Sequence, residues 1–254
     1  MGNAEIDADR VAREKAAWNA GVDRRKLERV LARSAAIWSG DVDRIIGQAF
    51  APHAGGKFLE IGSSSWASWI HRLKTPVGSL ECINISEAEL ENGRAMARGT
   101  EVKPEFLIMD AHKLDFEDNS FDVVFGKAIL HHLDYWIALD EIERVLKPGG
   151  TMVFMEPLDM NPVGWAVRAV TPDMRTPDEV PMRMRHLKLF KERFDTRFYP
   201  VELVSLPLGI LGGMTGAKPG GRFERLVCGL DRGLVRIPGL RLCARSTMIV
   251  GKKR

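Results

Sequence analysis

The sequence predicts an α/β fold, a mostly parallel sheet covered by helices on both faces. Three observations predict it. From residue 57 onward, short near-continuous apolar runs alternate with stretches whose apolar residues recur at helical spacing, the pattern of parallel strands buried on both sides. The run "FLEIG" (58–62) ends as a buried strand does when it enters a tight glycine turn. A chain of 254 residues, 45% hydrophobic and 28% charged, is long enough to bury such a sheet and ordinary in composition for a soluble globular protein.

The elements follow in order. Residues 9–50 place apolar residues three and four apart and read as helices, with Gly21 and Gly40 as breaks and "SGDVDRIIGQAFAP" as a further short helix ending near Pro52. "KFLEIG" is the first strand and "SSWASWIHRL" the helix after it. "GSLECINIS" is the second strand, followed by the helix "EAELENGRAMARG". "PEFLIMDA" and "FDVVFGKAI" are the third and fourth strands. "WIALDEIERVLKPGG" is an amphipathic helix stopped by Pro148-Gly149-Gly150, and "TMVFMEP" is the fifth strand. Residues 157–200 are rich in Pro, Met and Arg and read as helical in pieces. "FYPVELVSL", "RFERLVCGLDRGLVRI" and "RLCARSTMIVGKK" complete the chain as strand, helix and strand. The expected organisation is an N-terminal helical cap (1–54) on a core domain (55–254), with cap insertions near 157–200 and 207–240. No Gly/Ser linker separates a second domain.

Composition excludes several classes. No apolar run reaches the length of a membrane span and the N-terminus lacks a signal-peptide pattern, so a cytoplasmic protein is expected. Cys82, Cys228 and Cys243 are too few and too widely spaced for a disulfide framework or a zinc motif, and no metal cluster is apparent. Residues 1–159 carry 19 Lys+Arg against 26 Asp+Glu, whereas 160–254 carry 18 against 8. The basic residues are scattered, which reads as a cationic helical segment and not as a nucleic-acid face. A homodimer is compatible with the sequence.

In open parallel sheets, ligands bind beyond the carboxyl ends of the strands, beside the first strand. That crevice gathers residues 60–65, Asn84, Asp110-Ala111, residues 127–132 and Glu156. The phrases "LEIG" (59–62), "DAHKLDFEDNSFDVVF" (110–125), "LHHL" (130–133) and "RVLKPGG" (144–150) stand there in order. In this set of phrases the chain resembles class I S-adenosylmethionine-dependent methyltransferases, from about residue 55 to the end, and within them the methyltransferase type 11-like group acting on small molecules. The resemblance implies a Rossmann-like seven-stranded sheet, S-adenosylmethionine as cofactor and S-adenosylhomocysteine as product. It implies cofactor contacts from Glu60, Gly62, Ser63, Ser64, Asn84, Ile85, Asp110, Ala111 and Lys127. Glu60 would hold the cofactor's amino group directly or through water. Asn84 stands where the family carries a ribose-binding carboxylate, and Asp110 and Ala111 where adenine is recognised.

One departure bears on that reading. Where the family has Gly-x-Gly-x-Gly, this chain has Gly62-Ser63-Ser64-Ser65-Trp66. Serine hydroxyls and a following helix N-terminus could still receive the cofactor's carboxylate. Trp66 reads either as a cofactor or substrate contact or as core. For proton transfer from an acceptor, the candidates are His131, His132 and Glu156, with Asp159 and Asn161 as further lining. The acceptor, a small and lipophilic molecule methylated at O or N, is expected between the N-terminal helices (Trp18, Trp38) and residues 160–215, where Trp165 lies. Two other classes stay open: an enzyme on this fold that performs a cyclisation or other non-methylating step, and a nucleic-acid enzyme. The second lacks the Asn/Asp-Pro-Pro-Tyr motif of a base-flipping site.

Overall fold

The computed structural model describes residues 6–21, 25–170, 176, 178–214 and 221–254. Seven strands form one sheet: β1 (Lys57–Ile61), β2 (Ser79–Asn84), β3 (Glu105–Ile108), β4 (Phe121–Lys127), β5 (Leu146–Pro157), β6 (Phe194–Val201) and β7 (Ser246–Lys253). Their order is β3-β2-β1-β4-β5-β7-β6. Neighbours run parallel from β3 across to β5, while β7 is antiparallel to both β5 and β6. β2 lies on one side of β1 and β4 on the other, so the direction of winding reverses at β1 and a crevice opens past its carboxyl end.

Side chains alternate between the two faces of the sheet. Leu59, Val124 and Phe154 join one buried cluster with Leu139 and Ile142 of α4 (Tyr135–Val145). Phe58, Val123 and Phe125 join the other with Ile46 and Phe50 of α2 (Arg25–Phe50) and with Trp66, Trp69 and Ile70. Phe50 meets Phe58 edge-on at 5.2 Å. Both faces are therefore covered, as the near-continuous apolar strands require.

The N-terminal helix α1 (Ala8–Ala20) starts at Asp7, whose carboxylate accepts the Arg10 N–H, and stops at Gly21 in the left-handed conformation. The expected break at Gly40 is absent: α2 runs unbroken through it. One glycine costs a helix about 1 kcal/mol, and the Trp38 indole, donating to Asp231 at 2.8 Å on α8 (Arg222–Leu234), anchors the middle of α2. The expected helix over 64–73 is a single wide turn, Ala67–His71, with bonds such as Arg72 N–H to Ala67 O. α4 ends at Val145 and not at the Pro-Gly-Gly, which is folded into an irregular start of β5 with Gly149 at φ +78°. α3 (Glu87–Ala97) follows β2. α5 (Pro162–Val170) and α6 (Met184–Arg193) follow β5, and α7 (Ser205–Met214) and α8 follow β6. Part of the segment 157–200 lies outside the described residues, as does 215–220.

Candidate active site

A cavity of about 510 Å³ opens at the carboxyl ends of β1, β2, β3 and β4. Its floor is made by Gly62–Ser64, Asn84-Ile85, Met109–His112 and Lys127–Ile129, and α1 closes the opposite side with Arg10, Val11, Glu14 and Trp18. α1 is held there by polar ties to distant chain. Arg10 donates to the Leu133 and Asp178 carbonyls, and Arg13 pairs with Asp178 at 2.7 Å. Asn19 accepts from the hydroxyl of Ser86, the N-cap of α3, at 2.7 Å.

Gly62 has φ +115°, and a Cβ there would meet nothing within 4 Å. The backbone alone requires glycine at this turn, since side-chain-bearing residues rarely adopt that φ. Behind the turn, Glu60 is 1% exposed and does not line the cavity. Its Oε1 accepts the Ser65 N–H at 2.6 Å, the Trp66 N–H at 3.3 Å and the Ser65 hydroxyl, while Oε2 takes the Cys82 thiol at 3.2 Å. Burial pushes the Glu60 carboxyl above its ordinary range, opposed by these donors, and pushes the Cys82 thiol up beside it. The amide groups at the start of the 67–71 turn thus already serve a carboxylate of this chain.

At the end of β2, the Asn84 side-chain Oδ1 accepts the Ser86 N–H at 3.0 Å and its Nδ2 donates to Ser63 Oγ at 3.4 Å. Asn84 therefore fixes its own turn and still faces the cavity. After β3, Asp110 Oδ1 receives the His112 N–H at 2.9 Å and lies 2.7 Å from His112 Nδ1. His112 Nε2 accepts the Asp134 N–H at 2.8 Å, so the proton sits on Nδ1 and the ring donates to Asp110. Burial opposes ionisation of Asp110, but the His112 ring and backbone N–H overcome it and hold the carboxyl below its ordinary value. One carboxylate oxygen is fixed in this way, and Asp110 lines the cavity.

After β4, Ala128 takes a left-handed φ of +54° and leads into the turn Leu130–His132. Glu156, at the end of β5 and fully buried, accepts the Ile129 and Leu130 N–H groups at 2.9 Å each and lies 2.7 Å from His131 Nδ1. Burial pushes its carboxyl up to about 7 against the pull of those donors. Neither His131 nor Glu156 lines the cavity. His132 does, with Nδ1 3.1 Å from Glu14 Oε2 and 3.0 Å from the Thr176 hydroxyl, and with the Trp18 ring edge-on at 5.4 Å. Burial disfavours the Glu14 carboxylate, but His132 and Thr176 outweigh it and hold the carboxyl below its usual value.

Residues 59–154, the span that builds this floor, match the family model for a methyltransferase domain. Over those residues the chain is similar to methyltransferase domains. Demethylmenaquinone methyltransferases of Staphylococcus aureus strains are 38% identical over 105 residues, which is 40% of this chain and 43% of theirs. The match thus spans less than half the length of those curated relatives. Among solved structures, geranyl diphosphate C-methyltransferase from Streptomyces coelicolor superposes with a TM-score of 0.58 at 12% identity, covering 85% of this chain and 76% of that one. The [4+2]-cyclase SpnF superposes at 0.55 with 18% identity, covering 84% and 80%. At these identities the likeness is one of fold.

Of the expected site residues, Gly62, Ser63, Ser64, Asn84, Ile85, Asp110, Ala111, Lys127 and His132 are brought together around the cavity; Glu60, His131 and Glu156 are buried and do not line it. Of the expected acceptor wall, Trp18 lines the cavity and the rest is corrected. Trp38 is buried on Asp231 and Ser205, and no described residue of 160–215 lines the cavity. Trp165 lies on the surface with its indole on the Asp159 carbonyl. Asn161 caps α5, accepting the Gly164 N–H and donating to the Cys243 carbonyl at 2.6 Å each, while Asp159 pairs with Arg183. Trp66 is core, fully buried with Trp69 and Phe106 and not on the cavity. Close packing against the loop comes instead from Gly93 of α3, where a Cβ would stand 2.7 Å from the Ser63 carbonyl. The sequence reading missed Glu14 and His112. The second was within reach, two residues past Asp110 in "DAH".

Proposed function

We propose that this protein transfers a methyl group from S-adenosylmethionine to a small, lipophilic acceptor. The observation that carries the reading is the cavity at the switch point in which the Gly62 turn, Asn84 and the His112-braced Asp110 meet. The residues fit the cofactor on their own terms: an open glycine turn, an amide at the end of β2 and a carboxylate with one oxygen fixed. When bound, S-adenosylmethionine supplies a sulfonium methyl open to in-line displacement.

The chain's own groups divide the remaining work. Asp110 and the backbone at Ala111 receive the adenine, and Asn84 and Ile85 border the ribose. Gly62, Ser63 and Ser64 admit the amino-acid portion, with Lys127 across from them, and Glu60 keeps the turn in shape from behind. Val11, Trp18, Ile129 and Leu133 give the acceptor an apolar wall, and α1 keeps water out, which favours transfer by orientation and exclusion. Of the three candidates for proton transfer, His132 has a face on the cavity, so polarisation of an acceptor O–H, N–H or acidic C–H falls to it. His131 and Glu156 brace the turn that carries it. The similarity to demethylmenaquinone methyltransferases adds aromatic carbon to oxygen and nitrogen as the acceptor atom to be tried.

The test is incubation of the purified chain with labelled S-adenosylmethionine and a panel of lipophilic phenols, quinols and amines. A product heavier by one methyl group, formed with S-adenosylhomocysteine, is the expected result. An isomerised product without added mass would favour a non-methylating enzyme on the same fold.

A further inference from the structure

His131 and His132 lie side by side in one turn, their ring centroids 4.2 Å apart, and both are buried. Each ring presents Nδ1 to a buried carboxylate, His131 to Glu156 at 2.7 Å and His132 to Glu14 at 3.1 Å. A carboxylate on one imidazole nitrogen fixes the tautomer and aims the other nitrogen, the arrangement by which proteins orient metal-binding histidines. A third carboxylate converges on the pair. One ligand atom each from His131, His132 and Glu179 lie within 4.8 Å of one another. Glu179 is brought there by its neighbour Val180, whose N–H donates to the His131 carbonyl at 2.7 Å.

We propose that His131, His132 and Glu179 bind one divalent transition ion of the zinc class at the edge of the cavity. Two imidazoles and one carboxylate suit zinc, cobalt(II) or iron(II) and leave coordination positions open, whereas magnesium and calcium prefer all-oxygen sites. Zinc bonds of about 2.0–2.2 Å bring ligand atoms to roughly 3.3 Å from one another, so the three groups close by on the order of 1–1.5 Å on binding. The half-exposed Glu179 supplies that movement, because the two rings are held by their carboxylates. Since His132 also lines the cavity, an open coordination position of the ion would take an acceptor oxygen directly and polarise it, in place of a hydrogen bond from the ring. Ion binding is read apart from methyl transfer, so either proposal can fail alone.

The test uses the untagged full chain, stripped with a chelator, titrated with Zn²⁺ by calorimetry and with Co²⁺ by visible absorption. One equivalent should bind, with the d–d bands of a low-coordinate cobalt site carrying nitrogen ligands. Glu179→Gln and His132→Ala, each with an unchanged circular dichroism spectrum, should weaken it at least tenfold. Glu14→Gln, which removes only the orienting carboxylate, should weaken it by about tenfold. Absence of binding, or binding with equal affinity in wild type and in Glu179→Gln, would overturn the proposal. The partly exposed Glu179 keeps the test decisive even if the His132 variant does not fold.

Discussion

The Glu60 carboxylate accepts the Ser65 backbone N–H at 2.6 Å from behind the Gly62 turn. A residue expected at the cofactor is thereby the anion that organises the loop which would receive it. Replacing Glu60 by Ala leaves the Ser65 and Trp66 N–H groups, the Ser65 hydroxyl and the Cys82 thiol without their acceptor in a dry site. A loss of about 2–3 kcal/mol is expected, read as a lower urea midpoint. Affinity for S-adenosylmethionine should fall with it.

Gly93 is where α3 touches the same loop. A methyl group there would stand 2.5 Å from the Phe106 ring and 2.7 Å from the Ser63 carbonyl. Phe106 can turn aside, but the carbonyl is backbone. Gly93→Ala should therefore cost about 1–3 kcal/mol and weaken cofactor binding, whereas Gly40→Ala, at a position with open space around it, should stabilise α2.

Trp38 ties α2 to α8 and does not line the cavity. Its indole N–H joins Asp231 and Ser205, and Asp231 also accepts the Val204 N–H at 2.6 Å. Trp38→Phe should lower stability by about 1–3 kcal/mol and leave cofactor affinity unchanged in a calorimetric titration at a temperature where the variant is folded.

His186 on α6 gives a pH dependence. The buried ring stacks on Tyr135 at 4.0 Å; burial first, then Arg185 and Arg183, push its pKa down to about 4. The unfolded chain takes up this proton near pH 6.5, so it binds more protons than the folded one between about 6.5 and 4. The contribution is therefore fully present above pH 6.5 and declines as pH falls towards 4. Urea midpoints of wild type and His186→Phe across pH 4–7 should converge or cross as pH falls, with the wild type losing more.

Much of the sheet was legible because β1, β2 and β4 are apolar runs closed by turn residues, and "LEIG", "DAH" and "LHHL" mark three strand ends at one crevice. β6, expected over 198–206, instead spans Phe194–Val201, since its polar alternation carries no such run and Ser205 opens α7. Continuity of α2 through Gly40 was not, because helix propensity at one position is weaker than the packing that holds Trp38. Trp66 could be read two ways until the core claimed it. Glu14 was invisible: on an isolated amphipathic helix it reads as solvent-facing, and its partner His132 lies 118 residues away in sequence. The short turn after Gly62 was read as a full helix because its apolar spacing is helical over only one turn.

The measurement that bears most directly on the account is a calorimetric titration of S-adenosylmethionine into the purified chain and into Asp110→Ala. The account predicts micromolar binding to wild type and at least a tenfold loss in the variant, about 1.4 kcal/mol. No binding to wild type, or equal binding to both, would contradict it.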